Sequence, residues 1–317
     1  MASGSYKKFK IAAAQATPVF LDKKATTEKA CEWIHKASSE GAKLIVFPET
    51  FIPAYPEWVW MIPAGKKPLM NQVFEELMAN AVTIPDDTTQ QLCAAARKSK
   101  IHVAIGINER NDEASGASLY NSILYIDDDG NIMGKHHKLV PTGGERLMWA
   151  PGDGSTLVAF DTRLGKIGGL ICWENYMPLA RYTMYSMGVQ IYVAPTWDYG
   201  EVWLSSLRHI AKEGGAFVIG CGMPLQCKDI PDKYEFKKLY PADKDWINPG
   251  GSCIIAPNGN FIAGPVNKKE ELLIAELDLS MIADGKWMLD TAGHYARPDV
   301  FRFGVNRNAN KIMDSES

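Results

Sequence analysis

Three short segments of this chain carry residues able to do chemistry. In AKLIVFPET an apolar run ends at Pro48, and Glu49 follows directly. A strand buried on both faces would present Glu49 at its carboxyl end, the edge of an α/β sheet where ligands bind. The plainer alternative is a solvated acidic residue opening a loop. GKHHKLVPTGGERLMW carries Lys138, and Glu145 follows Gly143-Gly144 in a loop able to fold back toward it. A Lys–Glu contact there could equally be a surface ion pair, worth about 0–1 kcal/mol. In KIGGLICWENYMPLAR a strand runs into Cys172, then a short turn, then a helix beginning near Pro178. A nucleophile at such an elbow is exposed at the sheet edge, with backbone N–H groups beside it. A nearby helix N-terminus would lower the thiol pKa and favour the thiolate. Against that, a free cysteine is commonly a small buried apolar residue.

The other reactive residue types point elsewhere. Cys31 and Cys93 fall in helical segments, Cys221 ends a strand and Cys253 lies within one. Cys221 and Cys227 are too far apart in sequence for a C-x-x-C pair, and no second pair completes a zinc site. His136 and His137, adjacent on a strand, face opposite ways and cannot easily grip one ion. No metal is expected, and no glycine-rich phosphate loop supports nucleotide binding. Tyr55, Trp58 and Trp60 follow Glu49 closely. They either pack the core or, with Trp173, Trp197 and Tyr199, line a pocket for a small apolar ligand.

These residues need elements to hold them. The chain has 317 residues, 46% hydrophobic and 22% charged, the balance of a globular protein with an ample core. A net charge of −3 argues against binding nucleic acid through its phosphates. The apolar stretches are strand-length, far short of the roughly 18 residues a membrane helix needs. MASGSYKKFK lacks the apolar run of a secretory signal. Six cysteines are too sparse for a disulfide scaffold, so a reducing, cytoplasmic setting is expected.

Strands alternate with helices along the chain, implying a helix-covered sheet. Strands are predicted over 10–16, 44–47 and 101–107, with helices over 25–40 and 88–98. Asp127-Asp128-Asp129-Gly130 marks a hairpin between 119–126 and 132 onward. A second turn at 163–165 separates strands 157–160 and 166–171. Helices follow over 178–187 and 202–213, and strands over 190–194, 216–220, 252–256, 261–263 and 272–277. No linker or repeat offers a place to cut the chain.

Together the three segments resemble the nitrilase superfamily of carbon–nitrogen hydrolases, which carries Glu, Lys and Cys in this chain order. FPET supplies Glu49, HHKLVPTGGER supplies Lys138 and GGLICWENYMPLAR supplies Cys172. HIAKEGGAFVIG, NPGGSCIIAPNG and GHYARPDVF extend the likeness over nearly the whole chain. Cys172-Trp173-Glu174 and PTGGERLMW resemble the true nitrilase branch.

The resemblance implies a single-domain α-β-β-α sandwich over 9–306 with a short tail at 307–317. It implies hydrolysis of a small-molecule nitrile to the acid and ammonia without a cofactor, through a thioimidate and then a thioester on Cys172. Glu145 matches the additional glutamate of the family, and Tyr55, Trp58, Trp173 and Trp197 are the expected substrate contacts. Family members pair into homodimers across a helical face, and many true nitrilases build larger homo-oligomers. An amidase using the same triad, partial release of amide, and a catalytically silent scaffold are the competing readings.

Overall fold

The structure is a computed structural model that describes residues 8–63, 65–112, 115–311 and 313. The start of the chain, read above for a secretory signal, and positions 312 and 314–317 of the tail lie largely outside the described residues.

The first sheet is built from β1 (Lys8–Gln15), β2 (Ala42–Val46), β3 (His102–Asn111), β4 (Ser118–Ile126) and β5 (Ile132–His137). The second takes β6 (Ala159–Thr162), β7 (Gly165–Gly169), β8 (Ile191–Thr196), β9 (Phe217–Gly222), β10 (Pro224–Gln226), β11 (Trp246–Ile255) and β12 (Phe261–Asn267). The chain then returns through β13 (Glu271–Asp278) to the edge of the first sheet, where it pairs antiparallel with β1. The strand order is β13-β1-β2-β3-β4-β5 in one sheet and β10-β11-β9-β8-β7-β6 in the other, with β12 on β11.

The centre of each sheet is parallel: β1-β2-β3 in the first, β7-β8-β9 in the second. Parallel strands are covered on both faces, which explains the unbroken apolar runs of AKLIV, IYVAPT and FVIGCG. Alternate residues then go to different layers. Ile11, Ala13, Leu44 and Val46 meet Val193 and Ile219 between the two sheets. Ala12, Ala14 and Ile45 face outward instead, against Ala30 and Ile34 of α1 (Lys23–Ser39) and Leu92 of α3 (Asp87–Ser99). Tyr192, Ala194 and Val218 face the other way, against Met184 of α4 (Pro178–Ser186) and Leu207 and Ile210 of α5 (Glu201–Gly214). The result is the expected α-β-β-α sandwich.

Local signals mark the boundaries. The Asp22 side chain caps α1 by accepting the Ala25 N–H, and Asp86 caps α3 through Thr89. Gly130 and Gly259 take positive φ, as their two hairpins require.

Two helices and the short β10 were not expected, and β11 starts earlier than expected. Helix α2 (Lys67–Ala79) buries only Val73 and Leu77, so it shows little of the apolar periodicity that reveals a helix. The seven-residue α6 (Ser280–Lys286) buries only Ile282. Strand β11 begins at Trp246 rather than Ser252, because Pro249-Gly250-Gly251 interrupts the strand pattern without ending the strand. The described part of the tail is tied down: Asn310 donates its backbone N–H to Asp153 at 2.7 Å. No helix among the described residues is long and apolar enough to cross a membrane.

Candidate active site

Glu49 leaves β2 in a tight loop laid on β3. Gly106 permits the approach, since a Cβ there would lie 2.1 Å from the Pro48 carbonyl oxygen and 2.4 Å from the Thr50 nitrogen. The Glu49 carboxylate is fully buried and accepts three hydrogen bonds. Its Oε1 accepts from Lys138 Nζ at 2.8 Å and Asn121 Nδ2 at 2.7 Å, and its Oε2 accepts the Trp197 N–H at 2.7 Å.

Lys138 follows β5, and its Nζ also donates to Glu145 Oε2 at 2.7 Å. Glu145 sits in a 3-10 turn (Gly143–Leu147) and takes the Thr142 N–H on Oε2 and the Tyr55 hydroxyl on Oε1, both at 2.7 Å. This is a buried carboxylate–ammonium–carboxylate row, not the surface pair that spacing left open.

Cys172 leaves β7 at the first residue of a 3-10 turn (Cys172–Tyr176). Its φ is +50°, a left-handed backbone rare for a residue with a side chain and typical of strained functional elbows. Asn175 holds the elbow by donating Nδ2 to the carbonyls of Leu170 at 3.0 Å and Cys172 at 2.8 Å. Consecutive residues at the end of β8 join this elbow to Glu49. The Thr196 hydroxyl donates to Cys172 Sγ at 3.3 Å, and the next residue's N–H is the one on Glu49. Glu49, Lys138, Glu145 and Cys172 therefore converge on one spot.

Burial sets the charges. Desolvation pushes the Glu49 carboxyl above its ordinary range, although the Lys138 charge pulls the other way. For Lys138, burial alone would lower the pKa, but the negative groups around it, Glu49 foremost, hold it above its ordinary value. Burial, reinforced by the Glu49 charge, also pushes the Cys172 thiol well up. The lowering expected from the helix N-terminus beyond the turn is outweighed by this burial. A thiol pushed in this direction needs a base beside it to become a nucleophile.

Sγ faces a cavity of about 240 Å³ lined by Tyr55, Trp60, Trp173, Trp197 and Tyr199, with Thr142, Glu145 and Asp198. Tyr55 and Trp197 stack at 4.4 Å between ring centroids. One expected contact is corrected. Trp58 is 0% exposed and packs edge-on against Phe20 in the α1 layer, away from this cavity; Trp60, half exposed, lines it instead. In the 3-10 turn Glu57–Trp60, residues two apart point in different directions, which the residue types alone do not reveal.

Two residues without an assigned role in the sequence brace the site. Glu174 is buried, and its carboxylate accepts the backbone N–H of Leu139 at 2.6 Å and of Ile171 at 2.8 Å. It thereby ties the segment carrying Lys138 to the elbow carrying Cys172. His136 Nε2 lies 3.0 Å from Glu174 Oε2, while His137 turns to the opposite side and meets Glu109 at 2.9 Å. The spacing of His136 two residues before Lys138 and Glu174 two after Cys172 was the available signal.

A buried Glu–Lys–Glu row thus stands beside a cysteine in a chain of two helix-covered sheets. The chain belongs to the carbon–nitrogen hydrolase family, the nitrilase superfamily, which it matches over residues 10–286. It is 42% identical over 300 residues to a bifunctional nitrilase/nitrile hydratase of Nicotiana tabacum, covering 93% of this chain and 85% of the relative. It is 42% identical over 301 residues to an aliphatic nitrilase of Sinorhizobium fredii, covering 94% and 96%. Among solved structures, the nitrilase-superfamily protein Nit3 of Saccharomyces cerevisiae superposes with a TM-score of 0.73 at 23% identity, over 95% of this chain and all of that one.

Proposed function

We propose that the protein is a nitrilase, converting an organic nitrile to its carboxylic acid and ammonia. The observation that carries this reading is the buried row Glu49–Lys138–Glu145 held against Cys172 through Thr196 and Trp197. A nitrile carbon is a weak electrophile and calls for a thiolate.

Glu49, made a stronger base by burial, takes the Cys172 proton as Sγ bonds to the nitrile carbon. The nitrogen gains negative charge, which Lys138 and the Trp173 N–H stabilise, and the proton passes to it. The product is a neutral thioimidate. Glu49 then deprotonates a water that adds to the same carbon, and ammonia leaves with the proton, giving a thioester. A second water releases the carboxylic acid and restores the thiol. In total two waters are consumed for each nitrile. Glu145 fixes Lys138 and keeps it protonated, while Tyr55, Trp173 and Trp197 contact the substrate.

The names of the Nicotiana relatives couple nitrilase with nitrile hydratase activity, which favours some release of amide when the tetrahedral intermediate expels sulfur instead of ammonia. A homodimer or larger homo-oligomer is supported by Leu179 on α4 and Val202 on α5, each at least 70% exposed on the same outer layer. Six free cysteines fit a reducing cytoplasmic setting. Residues 9–306 form the hydrolase unit, with 307–317 as its tail.

The test is product analysis. Purified protein incubated with aliphatic and arylaliphatic nitriles releases ammonia and acid. Release of ammonia from amides but from none of the parent nitriles would replace this reading with an amidase.

A further inference from the structure

The cavity in front of Cys172 is unusual in its charge. Its lining holds five aromatic side chains and two carboxylates, Glu145 and Asp198, and neither lysine nor arginine. Lys138 behind it is already matched by Glu49 and Glu145. Glu145 is committed to Lys138, Thr142 and Tyr55, whereas Asp198 has only neutral donors. The Trp173 indole N–H donates to its Oδ2 at 2.8 Å and the Tyr199 N–H to its Oδ1 at 2.7 Å. No ion pair among the described residues includes Asp198. Its backbone is set by the Asp198 N–H on the Thr196 hydroxyl at 2.8 Å, the hydroxyl that also meets Cys172 Sγ.

A carboxylate accepts about four hydrogen bonds, so Asp198 retains capacity. Rings around a carboxylate without its own cation form a receptor for a positive group, through charge and through the faces of Tyr and Trp. We infer that the preferred substrates are short nitriles bearing an ammonium group, with Asp198 as the specificity-determining residue. This inference rests on the nitrilase reading and extends it to a substrate class. Anionic nitriles are disfavoured by the same field. Arg146 lies outside this cavity, lining the neighbouring depression that shares Trp60 and Trp173, with its Nε on the Pro141 carbonyl at 3.1 Å.

The test compares kcat/KM for three nitriles of similar size: γ-aminobutyronitrile (cationic), valeronitrile (neutral) and β-cyanopropionate (anionic). The ratio of cationic to neutral substrate is expected to be about tenfold in the wild type, equivalent to ~1.4 kcal/mol. It should fall toward one in Asp198→Asn, persist in Asp198→Glu, and shrink with added salt. Ratios within each variant cancel any general loss of activity. A wild-type ratio near one, a ratio unchanged in Asp198→Asn, or preference for the anionic nitrile overturns the inference while leaving nitrile hydrolysis intact. Absence of ammonia from all three overturns the nitrilase reading itself, and the charge preference with it.

Discussion

His136 Nε2 and Glu174 Oε2 stand 3.0 Å apart with both side chains buried, and this pair spans the two segments that deliver the ammonium and the thiol to the site. Burial alone would make His136 harder to protonate, but the Glu174 charge and hydrogen bonds outweigh it and hold the pKa above the ordinary histidine value. Removing one partner of a buried pair leaves an uncompensated group, at a cost of about 3–5 kcal/mol. Glu174→Gln should therefore lower the urea midpoint. It should also slow covalent labelling of Cys172 by more than it raises KM, an effect that a purely structural role would not produce in the variant's folded fraction. The pH sign follows from the raised pKa. Stabilisation by the pair is complete below about 6.5 and is lost as pH rises through the higher folded value. The stability gap between wild type and Glu174→Gln should narrow in alkaline solution.

Glu49 must be ionised to accept the thiol proton, and burial holds its carboxyl above the usual range. As pH falls, kcat/KM should decline through that raised value, placing the acid limb above the ~4.3 of an exposed glutamate. Glu49→Gln keeps the shape and removes the base. Its kcat should drop by about 10²–10⁴, the range of general-base contributions. An unchanged rate with an unchanged acid limb would remove Glu49 from the role assigned to it.

Gly106→Ala tests how Glu49 is placed. The added methyl meets the backbone of Pro48 and Thr50, neither of which can rotate away. Overpacking of this kind costs about 1–3 kcal/mol, and the displaced loop carries the base with it. The expected result is a lower thermal midpoint together with a loss of turnover well beyond the unfolded fraction.

Trp58 and Trp60 should separate stability from specificity. Trp58→Ala empties a core site and should cost about 3–5 kcal/mol while leaving the ranking of nitriles unchanged. Trp60→Ala opens the mouth of the cavity and should alter KM several-fold at little cost in stability, because the ring is half exposed.

Much of this arrangement was legible in the chain. AKLIV, IYVAPT and FVIGCG read as buried parallel strands because both their faces are covered, and Glu49 follows the end of one such strand. Helix α2 was hidden because it docks at the periphery through two residues. Trp58 and Trp60 could not be told apart because a large ring serves a core and a pocket equally well, and only the twist of a 3-10 turn separates them. The environment of Cys172 is hidden for a related reason: a helix start is visible in sequence, but the depth at which the elbow is buried is a property of the assembled sheets.

The most direct measurement is intact and peptide mass spectrometry of the protein after rapid mixing with a nitrile it turns over, quenched in acid. A thioimidate or acyl mass increment is expected, confined to the peptide containing Cys172, abolished in Cys172→Ala and retained in Cys221→Ala. Turnover without any increment on that peptide, or an increment on Cys221 or Cys31, would contradict Cys172 as the nucleophile.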